Sequence, residues 1–153
     1  SAPSSPRRTL PQRSLPQGET VPSDRVVYTL RTAVASNTGG PYVTIWDRVA
    51  VSSAGTLRGV VAVSSSITSN ARTNSVEVFR QADAPSVGSN TAATVLVNPI
   101  TLSNNNAAGS GSIRAANDRV AAGDQLQLRT YADTTGPTPA FVNLTATVEV
   151  ERD

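Results

Sequence analysis

The chain has 153 residues, which is enough for one domain but short for two. It contains no cysteine, histidine or lysine, which excludes disulfides, thiolate or imidazole metal sites and the usual activators of a nucleophilic serine. Because these side chains are missing, we expect no cofactor, no metal ion and no enzymatic activity. The net charge is only +2 and the arginines are scattered, so we also expect no nucleic-acid-binding surface.

The sequence has no apolar stretch that could span a membrane. No run of 18 apolar residues occurs, and the first 25 residues lack the continuous apolar core of a secretory signal. We interpret the start at Ser1 as that of a protein made in the cytoplasm, from which the initiator methionine was removed. No membrane partner is expected.

Residues 1–24 differ in composition from the rest of the chain. They hold five of the ten prolines and, apart from alanine, only three aliphatic residues: Leu10, Leu15 and Val21. Because proline fixes φ and restricts the residue before it, this segment cannot be a helix and is predicted to be extended. We therefore predict an extended proline-rich arm over residues 1–24 and a β-domain over residues 25–153.

From Arg25 onward, apolar and polar residues alternate with the period of half-buried β-strands. Clusters of Gly, Asn, Pro and Ser separate the runs, as expected for turns. The clearest run is the last one, whose apolar residues we predict to lie on one face of a single strand. The apolar residues of the predicted strands are, in chain order, Val26, Tyr28, Leu30, Val34; Val43, Ile45, Val49, Val51; Leu57, Val61, Val63, Ile67; Val76, Val78; Val95, Leu96, Val97, Ile100, Leu102; Ile113; Leu126, Leu128; and Val142, Leu144, Ala146, Val148, Val150.

Three features interrupt the alternation. Asp47 falls on the apolar face of its strand, which predicts a bulge or a polar contact at that point. Pro99 lies within an apolar run, and a central strand would not tolerate it. Gly109-Ser110-Gly111 is predicted to belong to a flexible loop.

About eight short antiparallel strands predict a two-sheet sandwich, with the jelly roll as the leading topology. No window sustains the helical apolar period over ten residues. An immunoglobulin-like sandwich also fits the number of strands, although the Cys–Trp–Cys spacing of antibody domains is absent.

Few side chains offer catalytic or metal-binding chemistry. Asp118, Asp124 and Asp133 are the candidates for a carboxylate pair, but the regular Asp-x-Asp-x-Asp-Gly spacing of a calcium loop is absent. Asp124 follows Gly123, and we interpret it first as a turn residue whose carboxylate accepts hydrogen bonds from backbone amides.

The aromatic residues are better candidates for a binding surface. Tyr42, Trp46, Phe79 and Phe141 alternate with aliphatic residues, and half-exposed aromatic side chains on an outer sheet face indicate a subunit interface. For Trp46, the single tryptophan, a place in the core or an interface is favoured over a platform for a sugar ring.

Two stretches carry a family resemblance. Residues 95–102 (Val-Leu-Val-Asn-Pro-Ile-Thr-Leu) and 119–128 (Arg-Val-Ala-Ala-Gly-Asp-Gln-Leu-Gln-Leu), followed by the terminal strand, resemble β-sandwich domains of tailed-bacteriophage virion proteins. The resemblance is closest to capsid decoration (cement) proteins with a jelly-roll fold. It covers about residues 92–150, whereas residues 25–90 match only in the rhythm of their strands.

The resemblance implies a virion structural protein on the capsid exterior. Such a protein forms homotrimers and binds the lattice of the major capsid protein, which it reaches with its extended arm. The arm residues expected to contact the capsid are Arg7, Arg8, Leu10, Arg13 and Leu15.

Two other functions stay open. One is a receptor- or glycan-binding module of a tail or fibre, with Trp46 and the segments 37–40 and 104–111 as its site. The other is a small viral coat protein in which Arg7, Arg8 and Arg13 contact the packaged nucleic acid.

Overall fold

The structure is a computed structural model that describes residues 24–35, 42–67, 74–82, 92–103, 106–132 and 140–153. The described chain is mostly β-strand, with a short 3-10 helix at Ala115–Asn117. It includes no helix long and apolar enough to cross a membrane. The strands are β1 (Arg25–Ala35), β2 (Ile45–Ala50), β3 (Gly55–Val63), β4 (Ser66–Ile67), β5 (Asn74–Gln81), β6 (Ala93–Thr94), β7 (Ile100–Thr101), β8 (Ala108–Gly111), β9 (Arg119–Val120), β10 (Gln125–Ala132) and β11 (Phe141–Arg152).

The strands form two antiparallel sheets that pack face to face. In sheet A the order is β1-β11-β3-β8, and the short strands β4 and β9 pair with β11 and β3. In sheet B the order is β2-β10-β5-β6, and β7 pairs with β5. This arrangement confirms the predicted all-β sandwich.

The order of pairing identifies the topology. Leaving aside the short strands β4, β7 and β9, which lie off the main strand order, the chain pairs β1 with β11, β2 with β10, β3 with β8 and β5 with β6. These pairs are the rungs of one long antiparallel hairpin. Rolling that hairpin brings β11 against β3 and β10 against β5, which is the jelly-roll topology. The leading prediction for the topology is therefore confirmed.

The inner faces of the two sheets form one hydrophobic core. Leucines from both sheets are fully buried, among them Leu30 and Leu144 from sheet A and Leu126 and Leu128 from sheet B. Fully burying one such side chain contributes about 1.5–3 kcal/mol. The core is therefore the main source of stability, and the outer faces are left for other roles.

A bulge in β3 reverses part of the predicted alternation. Glu149 of β11 pairs with Gly59, but Val150 pairs with Leu57, so Arg58 is an extra residue on β3. The extra residue moves Val60 and Ala62 to the core side. The prediction that Val61 and Val63 share the buried face of Leu57 is wrong, because both are 46% exposed on the outer face.

A second irregularity lies where β1 runs beside the start of β11. Asn143 has a φ of 50°, a left-handed conformation that Asn tolerates better than most residues. Phe141 is consequently 0% exposed and belongs to the core, whereas Val142 is only half-buried. The predicted shared face of the last strand is thus wrong at Val142. On β1, the predicted burial of Val34 is also wrong.

Strand β8 lies in the segment that was predicted to be a flexible loop, so that prediction is wrong for Gly109-Ser110-Gly111. This segment pairs with β3 along four residues. A Cβ on Gly111 would lie 2.9 Å from Leu96, and one on Gly109 would lie 2.9 Å from Ile100. The glycines are therefore required by close packing of core side chains, and strand pairing overrides their low strand propensity.

Two other expectations are confirmed. Leu128 pairs with Asp47 but Arg129 pairs with Ile45, so β2 has a bulge at this point, and an Asp47 oxygen also accepts the Arg31 backbone N–H at 2.8 Å. This contact ties the edge of sheet A to sheet B. Pro99 lies between the short strands β6 and β7, which both pair with β5 at the edge of sheet B, so it is not part of a central strand.

Candidate functional site: the outer face of sheet B

Strands β5 and β10 place a group of polar and aromatic residues on the outer face of sheet B. Leu128 pairs with Val78 on the core side. The residues that alternate with them therefore point outward, because successive side chains of a strand lie on opposite faces. The outward pairs are Gln125 with Gln81, Gln127 with Phe79, Arg129 with Glu77 and Tyr131 with Ser75.

Tyr42 lies over this face, just before β2. Its ring centroid is 6.2 Å from that of Phe79 and 6.1 Å from that of Tyr131, with tilted planes in both cases. These separations fall in the range of favourable aromatic pairs. The four residues Tyr42, Phe79, Arg129 and Tyr131 are called the aromatic cluster below.

The backbone of Tyr42 is held in an unfavourable conformation. Its φ is 59°, which for a bulky residue costs about 1–3 kcal/mol. Two hydrogen bonds hold it there: its N–H donates to the Thr130 carbonyl at 3.3 Å, and its carbonyl accepts from the Arg129 guanidinium at 3.1 Å. The position of the Tyr42 ring is thus fixed by the sheet beneath it.

Arg129 is buried although it lies on an outer face. Its guanidinium carbon is 4.2 Å from the centroid of the Phe79 ring, a cation–π distance. Its Nε and Nη2 also donate to the Gln127 side-chain oxygen, at 3.2 and 2.5 Å. Burial, and then the nearby charge of Arg48, lower the pKa of Arg129 from its ordinary value.

A chain of amides continues from this arginine. Gln127, which is fully buried, donates from its amide nitrogen to Gln81 at 2.6 Å and to Gln125 at 3.3 Å. The amide oxygen of Gln127 therefore accepts hydrogen bonds from Arg129, while its amide nitrogen donates hydrogen bonds to the other two glutamines. Such a chain satisfies buried polar groups and fixes the positions of the side chains in it.

Glu77 is the unusual member of this face. It is 3% exposed, and its Oε1 has no hydrogen-bond partner. Burial raises the pKa of Glu77 to about 7, against smaller lowering effects of the Val78 backbone hydrogen bond and the Arg114 charge. A pKa near neutrality suits proton transfer, but that chemistry also requires a substrate within reach of the group, and Glu77 is enclosed.

The hydroxyl groups around Glu77 are also affected by burial. Burial raises the pKa of Tyr42, and its hydrogen bond with Ser75 opposes this effect, while the charges of Glu77 and Tyr131 add to it. Among the described residues there is no group of three acidic, cysteine or histidine side chains that could hold a metal ion. The aromatic cluster is therefore suited to contact with another molecule through its three rings and through Arg129, which its hydrogen bonds hold in place.

The predicted site residues fall into three groups. Tyr42 and Phe79 come together in the aromatic cluster. Trp46 does not join them, because it packs against the core and its indole N–H donates to Thr130 Oγ1 at 2.8 Å. The prediction that Phe141 is a half-exposed aromatic is wrong, since the phase change beside Asn143 turns it into the core. The arm residues Arg7, Arg8, Leu10, Arg13 and Leu15 lie outside the described residues.

Tyr131 and Glu77 were missed by the sequence reasoning. Tyr131 continues the alternation of Gln127 and Arg129 opposite the apolar residues of β10, so the same period could have found it. Asp124, in contrast, has the predicted turn role: its carboxylate accepts the Ala121 N–H at 2.8 Å and a hydrogen bond from Arg80 at 3.3 Å.

Comparisons with known proteins do not identify a family. No protein-family model matches the sequence, and no curated protein matches it. A solved structure titled Desmodium yellow mottle tymovirus contains a chain that is 11% identical, with 97% of this chain and 93% of that chain covered and a TM-score of 0.36. A TM-score this low establishes neither a shared fold nor a shared function.

Proposed function

We propose that this protein is a non-catalytic structural protein of a virion, and specifically a capsid decoration protein of a tailed bacteriophage. In this proposal it binds the exterior of an assembled shell of major capsid protein as a homotrimer. The jelly-roll topology suits this role, since jelly rolls occur in viral capsid proteins as well as in lectins and cupins. Because a fold alone does not determine function, the proposal also requires a surface on the protein that is suited to binding the shell.

The aromatic cluster is the observation that carries the proposal. Tyr, Phe and Arg are enriched at protein–protein interfaces, and contacts that dominate binding are often Tyr or Arg held rigidly in place. Here Tyr42, Phe79 and Tyr131 form adjacent half-buried rings, and Arg129 is fixed among them. A pre-organised surface of this kind loses little conformational entropy on binding.

The arm adds a second proposed contact. Residues 1–24 have the composition of an extended segment that reaches up to roughly 70 Å at about 3.1 Å per residue, which suits contact with neighbouring shell subunits. Burying Leu10 or Leu15 would contribute about 1.5–3 kcal/mol each, whereas an exposed ion pair of Arg7, Arg8 or Arg13 contributes about 0–1 kcal/mol. The leucines are therefore expected to dominate the contact.

Co-sedimentation with empty shells of the virus that encodes the protein tests the proposal. The full chain should bind assembled shells saturably, and it should not bind the unassembled shell protein. Tyr131→Ala should weaken binding at least about tenfold, which corresponds to roughly 1.4 kcal/mol. Val43→Ala, which truncates an exposed side chain outside the cluster, is the matched control and should leave binding unchanged.

The arm is tested in the same assay. Deletion of residues 1–24 should leave the thermal melt unchanged and greatly reduce the occupancy of shells. Replacing both leucines by alanine should weaken binding more than replacing all three arginines by glutamine. The opposite order would show that the arm is an electrostatic tether, and a collapsed melt would place the arm within the fold.

The glycan-binding alternative is distinguished by its ligand. Trp46, on which it depended, packs against the core and uses its indole N–H internally. Binding of the protein to immobilised glycans, lost in Tyr131→Ala, together with no binding to shells, would favour that alternative over decoration.

A further inference from the structure

A surface pocket of about 310 Å³ lies on sheet A, where β1 and β11 run side by side. Arg31 pairs with Thr145 and Thr32 with Leu144 in this region. Because Leu144 points into the core, its strand neighbour Thr145 and the partner Arg31 point outward. The pocket is lined by Arg31, Thr32, Ala33, Asn143, Leu144 and Thr145.

Arg31 differs from the neighbouring arginines of sheet A in its charge environment. Arg25 pairs with Glu149 at 2.6 Å and Arg58 pairs with Glu151 at 2.6 Å. No carboxylate within the described ranges lies against the Arg31 guanidinium. The nearby Asp47 carboxylate accepts the backbone N–H groups of Arg31 and Arg48, at 2.8 and 2.9 Å. The wall of the pocket thus holds a guanidinium whose five N–H donors make no hydrogen bond to the described residues.

The other pocket residues add polar groups, and two exposed valines, Val61 and Val63, form an apolar shelf beside the pocket. Thr145 is the cross-strand partner of Arg31, and the Asn143 amide donates to Ser65 Oγ at 3.3 Å. On the far side of Thr145, Val63 is its direct partner on β3, and both Val63 and Val61 are exposed. Two strand spacings of about 4.8 Å separate Arg31 from Val63, which gives roughly 10 Å.

We propose that this pocket binds a carboxylate side chain carried by an extended segment of a partner protein, with an apolar side chain of that segment resting on Val61 and Val63. A guanidinium binds a carboxylate through two parallel hydrogen bonds. In an extended polyproline II segment, residues three apart lie on the same face and are separated by about 9 Å, close to the distance from Arg31 to Val63. The proposal concerns this pocket alone and does not depend on the virion role.

The neighbouring side chains favour a peptide over an acidic sugar. The six lining residues include no aromatic ring, and the aromatic cluster lies on the other sheet, whereas sugar rings are commonly bound against aromatic faces. Gly59, on the same outer face, has open space above it and no left-handed φ. A glycine that nothing in the fold requires leaves room for another chain to approach closely.

The test is an NMR titration of the ¹⁵N-labelled full chain. The probe is the pentapeptide Val-Thr-Ser-Glu-Ser blocked at both ends, so that its glutamate is the only carboxylate, and the control probe has glutamine in that place. The glutamate peptide should shift the amide signals of the pocket residues with a millimolar Kd. The glutamine peptide should bind about tenfold more weakly, because the charge-assisted hydrogen bonds are lost.

Variants of the protein assign the site. Arg31→Gln should weaken binding of the glutamate peptide about tenfold, whereas Arg48→Gln, which removes an exposed arginine of β2 outside the pocket, should have no effect. Ala33→Trp should block the pocket while the spectrum keeps the dispersion of the folded chain.

Three results would overturn the proposal. The first is equal affinity for the two peptides or for wild type and Arg31→Gln. The second is the absence of shifts, or shifts outside the pocket, at about 10 mM peptide. The third is tighter binding of glucuronate than of the peptide, which would assign the pocket to acidic sugars.

Discussion

Replacing Glu77 by glutamine should remove a loss of stability that the wild-type protein undergoes as the pH rises toward neutrality. Glu77 is buried with one unpartnered oxygen, and burial raises its pKa from 4.5 to about 7. The folded state therefore holds a proton that the unfolded chain has lost between these values. The contribution of Glu77 to stability is therefore largest below about pH 4.5, decreases as the pH rises to about 7, and does not change above that.

The size of the effect follows from the difference between the two pKa values. One pKa unit corresponds to about 1.4 kcal/mol, so the loss between the two plateaus is about 3 kcal/mol. Glutamine is neutral at every pH and keeps an oxygen that accepts the Val78 N–H. The variant should therefore match wild type near pH 4.5 and be more stable by about 3 kcal/mol at pH 8.

Urea unfolding at several pH values, followed by the fluorescence of Trp46, measures this difference directly. Trp46 is the single tryptophan and packs against the core, so its emission reports unfolding. No histidine titrates in this range, because the chain contains none. Glu149→Gln, which removes an exposed ion pair with Arg25, is the control and should change stability by at most about 1 kcal/mol. A constant difference between wild type and Glu77→Gln from pH 5 to pH 8 would refute the reasoning.

Substitutions at four further positions test the packing by urea unfolding. Gly111→Ala should destabilise by about 1–3 kcal/mol because its Cβ would meet Leu96 at 2.9 Å, whereas Gly59→Ala, with open space above it, should stabilise by about 0.5–1 kcal/mol; equal effects would contradict the assigned packing. Asn143→Ala should cost about 1–2 kcal/mol more than Asn143→Gly because of the left-handed φ, and the reverse order would remove the argument for strain. Phe141→Ala should lower the free energy of unfolding by about 3–5 kcal/mol, because it truncates a core side chain. A loss below about 1 kcal/mol would show that Phe141 lies at the surface.

The fold class could be predicted because its signals are local. The alternation around Leu126 and Leu128 requires only that a strand have two faces, and the turn at Gly123 and Asp124 requires only local hydrogen bonds. Pro99 likewise limits its segment to an edge through its missing N–H. Because these features depend only on residues that are neighbours in sequence, the strands and their antiparallel arrangement could be predicted from them.

The errors arise where one residue breaks the period of two. The extra residue Arg58 in β3 moves the side chains that follow it to the opposite face. The left-handed Asn143 in β11 puts the two side chains before it, Phe141 and Val142, out of phase with the rest of the strand. No composition signal marks either position in the sequence. The strand at β8 was missed for a related reason, since its glycines are explained only by Leu96 and Ile100 from distant parts of the chain.

The candidate site was predicted less completely than the fold. Tyr42 and Phe79 were identified as aromatic residues, but their association with Tyr131 depends on the register between β5 and β10 and on the backbone of Tyr42. The raised pKa of Glu77 results from burial on a face that alternation assigns to solvent. Properties that depend on burial by distant residues cannot be derived from local periodicity.

The same irregularities that defeat the sequence pattern create the proposed peptide-binding surface. If β3 had no bulge, Val61 and Val63 would point into the core and the apolar shelf would be absent. The left-handed Asn143 is itself one of the residues that line the pocket beside Arg31. Bulges are expected at positions where a strand redirects a side chain for a purpose other than stability. The bulge of β3 and the left-handed Asn143 of β11 both lie beside this surface of sheet A, and this is the structural reason to seek a ligand there.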